Sequence, residues 1–75
     1  METYKNLGGE SGIKAYEIGS DSITVQFYDG SAYVYDYQSA GLENVEQMKR
    51  LAIAGEGLNS FIAQNVKKDY AAKLK

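Results

Sequence analysis

Residues 22–37 read Ser-Ile-Thr-Val-Gln-Phe-Tyr-Asp-Gly-Ser-Ala-Tyr-Val-Tyr-Asp-Tyr, and this stretch decides the fold. Apolar residues alternate with polar ones from Ile23 to Phe27, which is the period of a β-strand with one buried face. Asp29 and Gly30 follow as a pair typical of a chain reversal. The stretch therefore predicts a β-hairpin whose second strand is rich in tyrosine.

Two registers are open to this hairpin, and the turn decides between them. If the Asp-Gly pair is the whole turn, Val25 stands opposite Val34 and the tyrosines of the second strand point away from the core. If a type I turn is followed by Gly30 as a left-handed bulge, Val25 faces Tyr33, and Tyr35 also joins the core. We favour the second register because it collects the large apolar and aromatic side chains on one face.

The segment before the hairpin predicts a third strand, and the segment after it predicts a helix. Residues 13–19 alternate weakly, with a bulge that switches faces, and should pair antiparallel with residues 22–28. After Tyr37 the apolar spacing changes to three and four residues, which is typical of a helix. Ser39 is the predicted cap of this helix and Gly55 its stop. Its predicted buried stripe comprises Leu42, Val45, Met48, Leu51 and Ala52.

A second helix is predicted to begin between Gly57 and Ser60, with Asn59 as its cap. Its apolar stripe comprises Leu58, Phe61, Ile62, Val66, Tyr70 and Leu74. Such a stripe must be buried, and the sheet offers the surface for it. The predicted fold is α+β: a three-stranded antiparallel meander followed by two helices packed on one face, in the order β-β-β-α-α.

Length and composition set the domain organisation and exclude several classes of protein. The 75 residues make one domain, which we place at residues 13–75 behind a glycine-rich, mobile lead-in at residues 1–12. The chain has no cysteine and no histidine, which removes disulfides, thiolate metal sites, the common imidazole base and the usual serine triad. We therefore expect no cofactor and no metal ion. Neither a signal peptide nor a membrane-spanning run is evident, so a cytoplasmic location is expected.

Short motifs in the hairpin and the second helix resemble the KTSC family, a small domain found at the carboxyl end of some lysyl-tRNA synthetases and as a stand-alone bacterial protein. Phe27-Tyr28-Asp29-Gly30 followed by Tyr33-Val34-Tyr35 is similar to the family's Phe-x-x-Gly turn and Tyr-x-Tyr pair. Gly55-Glu56-Gly57-Leu58-Asn59 with Ile62 resembles its glycine, Phe-Asn and isoleucine pattern. The chain departs from the family at Gln38-Ser39, Leu58, Ala63 and Val66. The resemblance spans residues 11–66 and implies a binding module, with RNA as the suggested ligand.

The candidate contacts for RNA or single-stranded nucleic acid are aromatic and basic, since tyrosine rings stack on bases and basic side chains bind phosphates. The first choice is Tyr28, Arg50, Lys67 and Lys68. Tyr33 and Tyr35 join them only if the first register leaves both exposed. The formal net charge of −2 carries no general signature of nucleic-acid binding, so this role depends on local patches.

The alternative function is a module for protein–protein contact or self-association. One face and at least one edge of a three-stranded sheet stay open when both helices pack on the other face. Tyr16, Tyr28 and Val34 are candidates for this surface, because exposed apolar side chains mark sites of protein contact.

An enzyme is not expected. The carboxylates Asp21, Asp29 and Asp36 are spread over turns rather than paired for acid–base chemistry. Gly55-Glu56-Gly57 lacks the lysine and the hydroxyl residue of a phosphate-binding loop, so we interpret it as a turn between two helices.

Overall fold

The computed structural model describes residues 1–9 and 11–75 and shows an α+β fold with a five-stranded antiparallel sheet. The strands lie in chain order: β1 (Glu2–Thr3), β2 (Ile13–Ile18), β3 (Ser22–Phe27), β4 (Ala32–Asp36) and β5 (Ala72–Lys73). The predicted meander forms the centre of this sheet, with β3 in the middle. The two outer strands, one from each end of the chain, were not predicted.

The hairpin of β3 and β4 adopts the register that buries tyrosine. Its cross-strand pairs include Ile23 with Tyr35 and Val25 with Tyr33. Gly30 has a φ of 94° and donates its amide to the carbonyl of Phe27 over 3.1 Å. The Asp29 carboxylate closes the turn by accepting the amide of Ser31 at 2.8 Å and its hydroxyl at 2.6 Å. The predicted type I turn with a glycine bulge is confirmed.

Strand β2 contains the predicted bulge. Its register against β3 shifts between Ile13 and Ala15. Because of this shift, Ile13 and Tyr16 both reach the core. The burial of Tyr16 corrects its assignment to an open surface.

Three helical segments and one π-helical turn cover a single face of the sheet. They are α1 (Tyr37–Ala40), α2 (Leu42–Ala54) and α3 (Leu58–Phe61), which continues into the π-helical turn Ile62–Val66. Their apolar residues join those of the sheet in one core, which contains Tyr4, Ile13, Tyr16, Ile23, Val25, Tyr35, Ala40, Val45, Met48, Ala52, Leu58, Ile62 and Val66. The opposite face of β3 and β4 carries Thr24, Gln26, Ala32 and Val34.

The first predicted helix is divided in two. Asp36, not Ser39, caps α1: its carboxylate accepts the amide of Ser39 at 2.8 Å, and the Ser39 hydroxyl in turn accepts the amide of Asp36 at 3.1 Å. Gly41, with a φ of 93°, separates α1 from α2. Leu42 follows this break and is exposed, which corrects its place in the buried stripe. Gly55 ends α2 in the left-handed conformation, as predicted.

The second predicted helix is shorter than its apolar stripe suggested. It starts after Gly57 rather than with an Asn59 cap, and its helical structure ends at Val66. Beyond that point the chain returns to the sheet as β5, and Leu74 is exposed. The reason is the open edge of β4, whose carbonyl groups accept the amides of Ala71 and Leu74, each at 2.7 Å.

The amino-terminal segment packs against the domain instead of preceding it. Glu2 and Thr3 pair with β2, and Tyr4 is buried with 3% of its surface exposed. The amide of Leu7 donates to the carbonyl of Gly55 over 2.7 Å, so this segment also contacts the end of α2. The segment thus contacts both the sheet and the helices, while the division of the chain at residue 13 and the mobility of the segment stay predictions. Glu10, part of that lead-in, lies outside the described residues.

Candidate binding surfaces

The two tyrosines that depended on the register belong to the core side of the sheet. Tyr35 is 2% exposed, and its hydroxyl donates to the carbonyl of Lys67 over 3.3 Å. Burial, reinforced by the charges of Tyr33, Tyr70 and Asp69, raises the pKa of Tyr35 to about 12. A ring this deeply buried cannot stack on a base. The first register, on which the assignment of Tyr35 to a nucleic-acid surface depended, is not the one observed.

Tyr33 is half-buried in a cluster of aromatic rings. Its ring centroid lies 5.9 Å from that of Phe27, in an edge-on arrangement, and 4.8 Å from that of Tyr70. Tyr33 was expected to stack on bases only if it pointed away from the core. It shares the core face with Val25, so this condition is not met. The cluster stabilises the β4 edge and leaves Tyr33 with one side next to Lys73, whose Nζ lies 5.7 Å from the ring centroid.

The four first-choice contacts lie in three separate parts of the fold. Tyr28 is exposed at the tip of the β3–β4 hairpin. Arg50 lies on α2, where its guanidinium donates to the side-chain oxygen of Gln47 at 3.0 and 2.7 Å. Lys67 and Lys68 are exposed where the π-helical turn ends. Lys67 and Lys68 are adjacent in sequence, while Tyr28 and Arg50 lie on other elements of the fold.

The basic character of the chain is concentrated in its last nine residues. Residues 67–75 contain four of the eight basic side chains and one of the ten acidic ones. Strand β5 carries Lys73 along the outer edge of the sheet. The hydrogen bonds from Ser31 are the main cause of the lowered pKa of Asp29, and the charge of Lys73 adds a smaller contribution. Lys73 belongs to the basic carboxyl end but was not among the four first-choice contacts.

A second charged group fastens the turn before β3 to the helices. The Tyr37 hydroxyl donates to Glu46 over 2.7 Å, and the Lys49 ammonium lies 2.9 Å from the same carboxylate oxygen. Lys49 also donates to the carbonyl of Ser20 over 3.1 Å. The hydrogen bonds from Tyr37 and Lys49 lower the pKa of Glu46, and the hydrogen bond to Glu46 raises the pKa of Lys49. All three side chains bind one another, and Lys49 also binds the Ser20 carbonyl, so we interpret the group as a structural link between this turn and the helices.

The glycine turn has a structural explanation. Gly55 and Gly57 have φ values of 83° and 84°, which other residues rarely adopt. A side chain at Gly55 would also meet Lys5, with the two Cβ atoms 2.7 Å apart. Beside this turn lies a cleft of about 110 Å³ whose walls include Tyr4, Asn6 and Ser60. The turn is thus shaped by close packing, in agreement with its interpretation as a link between helices.

The described carboxylates of the turns also have local roles. Asp29 accepts hydrogen bonds within the hairpin tip, and Asp36 caps α1. Across residues 1–9 and 11–75, no cluster of three or more acidic, histidine or cysteine residues could hold a metal ion. In the same described ranges, no helix is long and apolar enough to cross a lipid bilayer.

An open notch with a mixed lining lies where the β1–β2 edge of the sheet meets α2. Three large apolar side chains line it and are exposed in part: Met1 at 60%, Ile18 at 40% and Ile53 at 58%. The buried ring of Tyr16 forms part of the wall, and the cavity volume is about 480 Å³. The carboxylates Glu2 and Glu17 complete the lining. We call this site the edge notch.

Sequence reasoning missed the edge notch for two reasons. Met1 was assigned to a lead-in, and Ile53 was left out of the predicted stripe of α2 because it lies off that face. The usable local signal was Ile53, a large apolar side chain on the polar side of an amphipathic helix. A second open groove of about 570 Å³ includes Leu42 and Phe61 together with polar and charged residues of α2.

Comparison of the chain with protein-family models, with curated proteins and with solved structures gave no match.

Proposed function

We propose that this protein is a non-enzymatic binding module that recognises another protein through the edge notch. The observation that carries the proposal is the convergence of Met1, Ile18 and Ile53, all exposed in part, in one opening at the sheet edge. Single exposed apolar residues are common on protein surfaces, whereas clusters of them in a concave site favour contact with a partner. Burying such side chains removes apolar surface from water and is a main source of protein–protein affinity.

The charges of the notch specify the partner further. Glu2 and Glu17 are exposed beside the apolar side chains. The amino group of Met1 lies 4.0 Å from Glu17, but a contact of this kind between exposed groups is weak and leaves the carboxylate free to exchange partners. The best complement is therefore an apolar side chain flanked by lysine or arginine.

A peptide-selection experiment tests this proposal. A random peptide library is selected on the wild-type protein and on Ile53→Lys, whose new ammonium group would oppose basic peptides and remove apolar surface. We expect wild-type protein to enrich peptides with a large apolar residue beside basic residues, and Ile53→Lys to lose this enrichment. Leu42→Lys is the matched control, because Leu42 is also an exposed apolar residue of α2 but lies outside the notch. Equal enrichment on wild-type protein and Ile53→Lys would contradict the proposal.

A second candidate function is nucleic-acid binding at the carboxyl-terminal edge. The observation in its favour is the lysine concentration of residues 67–75, together with the contact of Lys73 with Tyr33. Lysines next to an aromatic ring are a combination that single-stranded nucleic acid uses. The KTSC resemblance supports a binding role of this kind. Here Lys67 and Lys68 remain proposed contacts, and Tyr28 and Arg50 would need a ligand that extends to other parts of the surface.

Titration with short mixed-sequence RNA at two salt concentrations tests the second candidate. Amide chemical shifts of Lys67, Lys68 and Lys73 should change, and less so at high salt, because phosphate contacts release counterions. Replacing Lys67 and Lys68 together by glutamine should weaken binding. Shifts confined to other parts of the chain, or no shifts at low salt, would rule out this edge as the RNA contact.

A further inference from the structure

We propose that the edge notch of one copy of the chain receives the segment Lys73-Leu74-Lys75 of a second copy, so that the protein associates head to tail. This inference rests on the proposed function of the notch and names its partner. Leu74 is 56% exposed and lies between two exposed lysines. The segment thus has the composition that the notch requires: one large apolar side chain flanked by two ammonium groups.

The two surfaces lie at opposite edges of the same sheet. The notch includes Glu2 of β1, and the lysine-leucine segment begins in β5, the strand at the other end of the sheet order. Four interstrand spacings separate these edges, which corresponds to about 19 Å. Leu74 therefore cannot enter the notch of its own chain. A second copy can supply it while leaving its own notch free.

The distribution of charge favours this arrangement. Residues 67–75 hold four lysines and one aspartate, so most acidic side chains lie in the rest of the chain. Within the notch, Glu2 and Glu17 provide the negative partners for Lys73 and Lys75. The two carboxylates of the notch attract the lysines of a second copy, whereas two lysine-rich carboxyl-terminal edges repel each other.

The symmetry of the contact has a consequence. A contact between two different surfaces is heterologous, and every copy that joins offers a further notch at one end and a further segment at the other. Association should therefore continue beyond the dimer as concentration rises. It should weaken as salt is added, because the charged groups are exposed and screened.

Sedimentation velocity on the full chain, over a wide concentration range and at low and high salt, tests the inference. Wild-type protein should form dimers and larger species. Ile53→Lys disables the notch and Leu74→Glu disables the segment, and each should weaken association about ten- to hundredfold. The changed positions are exposed, so circular dichroism should report an unchanged fold. Leu42→Lys, exposed but outside both surfaces, should associate like wild-type protein.

Mixing the two disabled variants gives the decisive measurement. Ile53→Lys keeps an intact segment and Leu74→Glu keeps an intact notch, so an equimolar mixture should restore dimers but no larger species. Wild-type protein that stays monomeric at every concentration, or a mixture that forms no dimers, would overturn the inference. If the notch then still enriches apolar-basic peptides, the proposed function stands and only the identity of the partner as a second copy is wrong.

Discussion

The two edges of the sheet are both built from an end of the chain, yet different interactions hold them. At the β1 edge, Tyr4 is buried in the core, and its hydroxyl accepts the amide of Leu58 at 3.2 Å. At the β5 edge, Tyr70 is half-buried and packs against Tyr33 and Tyr35, with ring centroids 4.8 and 6.2 Å apart. One tyrosine thus joins the first strand to the start of α3, while the other is held by ring contacts.

This difference indicates unequal resistance to local opening. Release of β1 would empty a core position and leave the buried amide of Leu58 without its acceptor. Release of β5 would expose a ring that already contacts water. Segments with fewer buried contacts open at lower free energy, so the β5 edge should open before the β1 edge.

The largest effect is expected for Tyr4→Ala. Removing a buried aromatic side chain costs about 3–5 kcal/mol of unfolding free energy. A domain of this length has a total stability of roughly 4–11 kcal/mol, so the variant should be close to unfolded. Urea denaturation followed by circular dichroism measures the loss.

Tyr4→Phe separates the two contributions of this residue. It keeps the ring but removes the acceptor for the Leu58 amide, so we expect a loss of about 1–3 kcal/mol, the cost of a buried unsatisfied donor. If Tyr4→Ala lowered stability by no more than an exposed substitution does, about 0.5 kcal/mol, Tyr4 would not anchor the edge.

A smaller and more local effect is expected for Tyr70→Ala. The loss of a half-buried ring and its aromatic contacts should cost about 1–2 kcal/mol. Hydrogen exchange should accelerate at the amides of Ala71 and Leu74, which donate to β4, and stay slow at the amide of Tyr4, which donates to Lys14. Tyr28→Ala, at an exposed tyrosine, is the control and should leave both edges unchanged. Equal acceleration at the two edges would show that they open as one unit.

The same comparison explains how far the sequence predicts this fold. The hairpin was predictable because alternation over five residues indicates a strand, and because only the bulged glycine turn collects the large apolar and aromatic side chains on one face. The edge strands were not, because two residues are too few to show a period. At the carboxyl end, the spacing of Tyr70 and Leu74 predicted that the helix continues. The segment pairs with the open edge of β4 instead, because the free carbonyl groups of that edge accept its amides.

The candidate site was less predictable than the fold. Exposed lysines at residues 67 and 68 follow from composition, and the structure places them at the surface. The edge notch depends on contacts between Met1, Ile18 and Ile53, which are far apart in the chain. Only Ile53 carried a local signal, as an apolar residue outside the stripe of its helix. Predicting the notch would have required knowing that the amino-terminal segment packs against the sheet. The glycines at residues 8 and 9 indicated a mobile segment instead.

The last prediction uses pH to act on Tyr35, which packs against the β5 edge. Tyr35 lies beneath Tyr70, and burial raises its pKa from 10.0 to about 12. Below pH 10 this tyrosine is neutral in the folded and the unfolded chain, so its contribution to stability is fully present. Between pH 10 and 12 the unfolded chain releases the proton more readily, so the free energy of unfolding should fall as pH rises. Above that range both states are ionised and the dependence ends.

Tyr35→Phe isolates this dependence from those of Tyr37 and Lys49, whose pKa values the hydrogen bond to Glu46 also raises. At neutral pH the variant should lose no more than about 1 kcal/mol, since it gives up one hydrogen bond to the Lys67 carbonyl. Between pH 10 and 12 its urea midpoint should fall less steeply than that of wild-type protein. Hydrogen exchange in this range should show the amides of β5 opening first, because a phenolate at Tyr35 repels Asp69 and destabilises the ring contacts of Tyr70. If the unfolding free energy of both proteins fell equally steeply with pH, Tyr35 would have an ordinary pKa. The neutral form of this buried ring would then not be what stabilises the β5 edge.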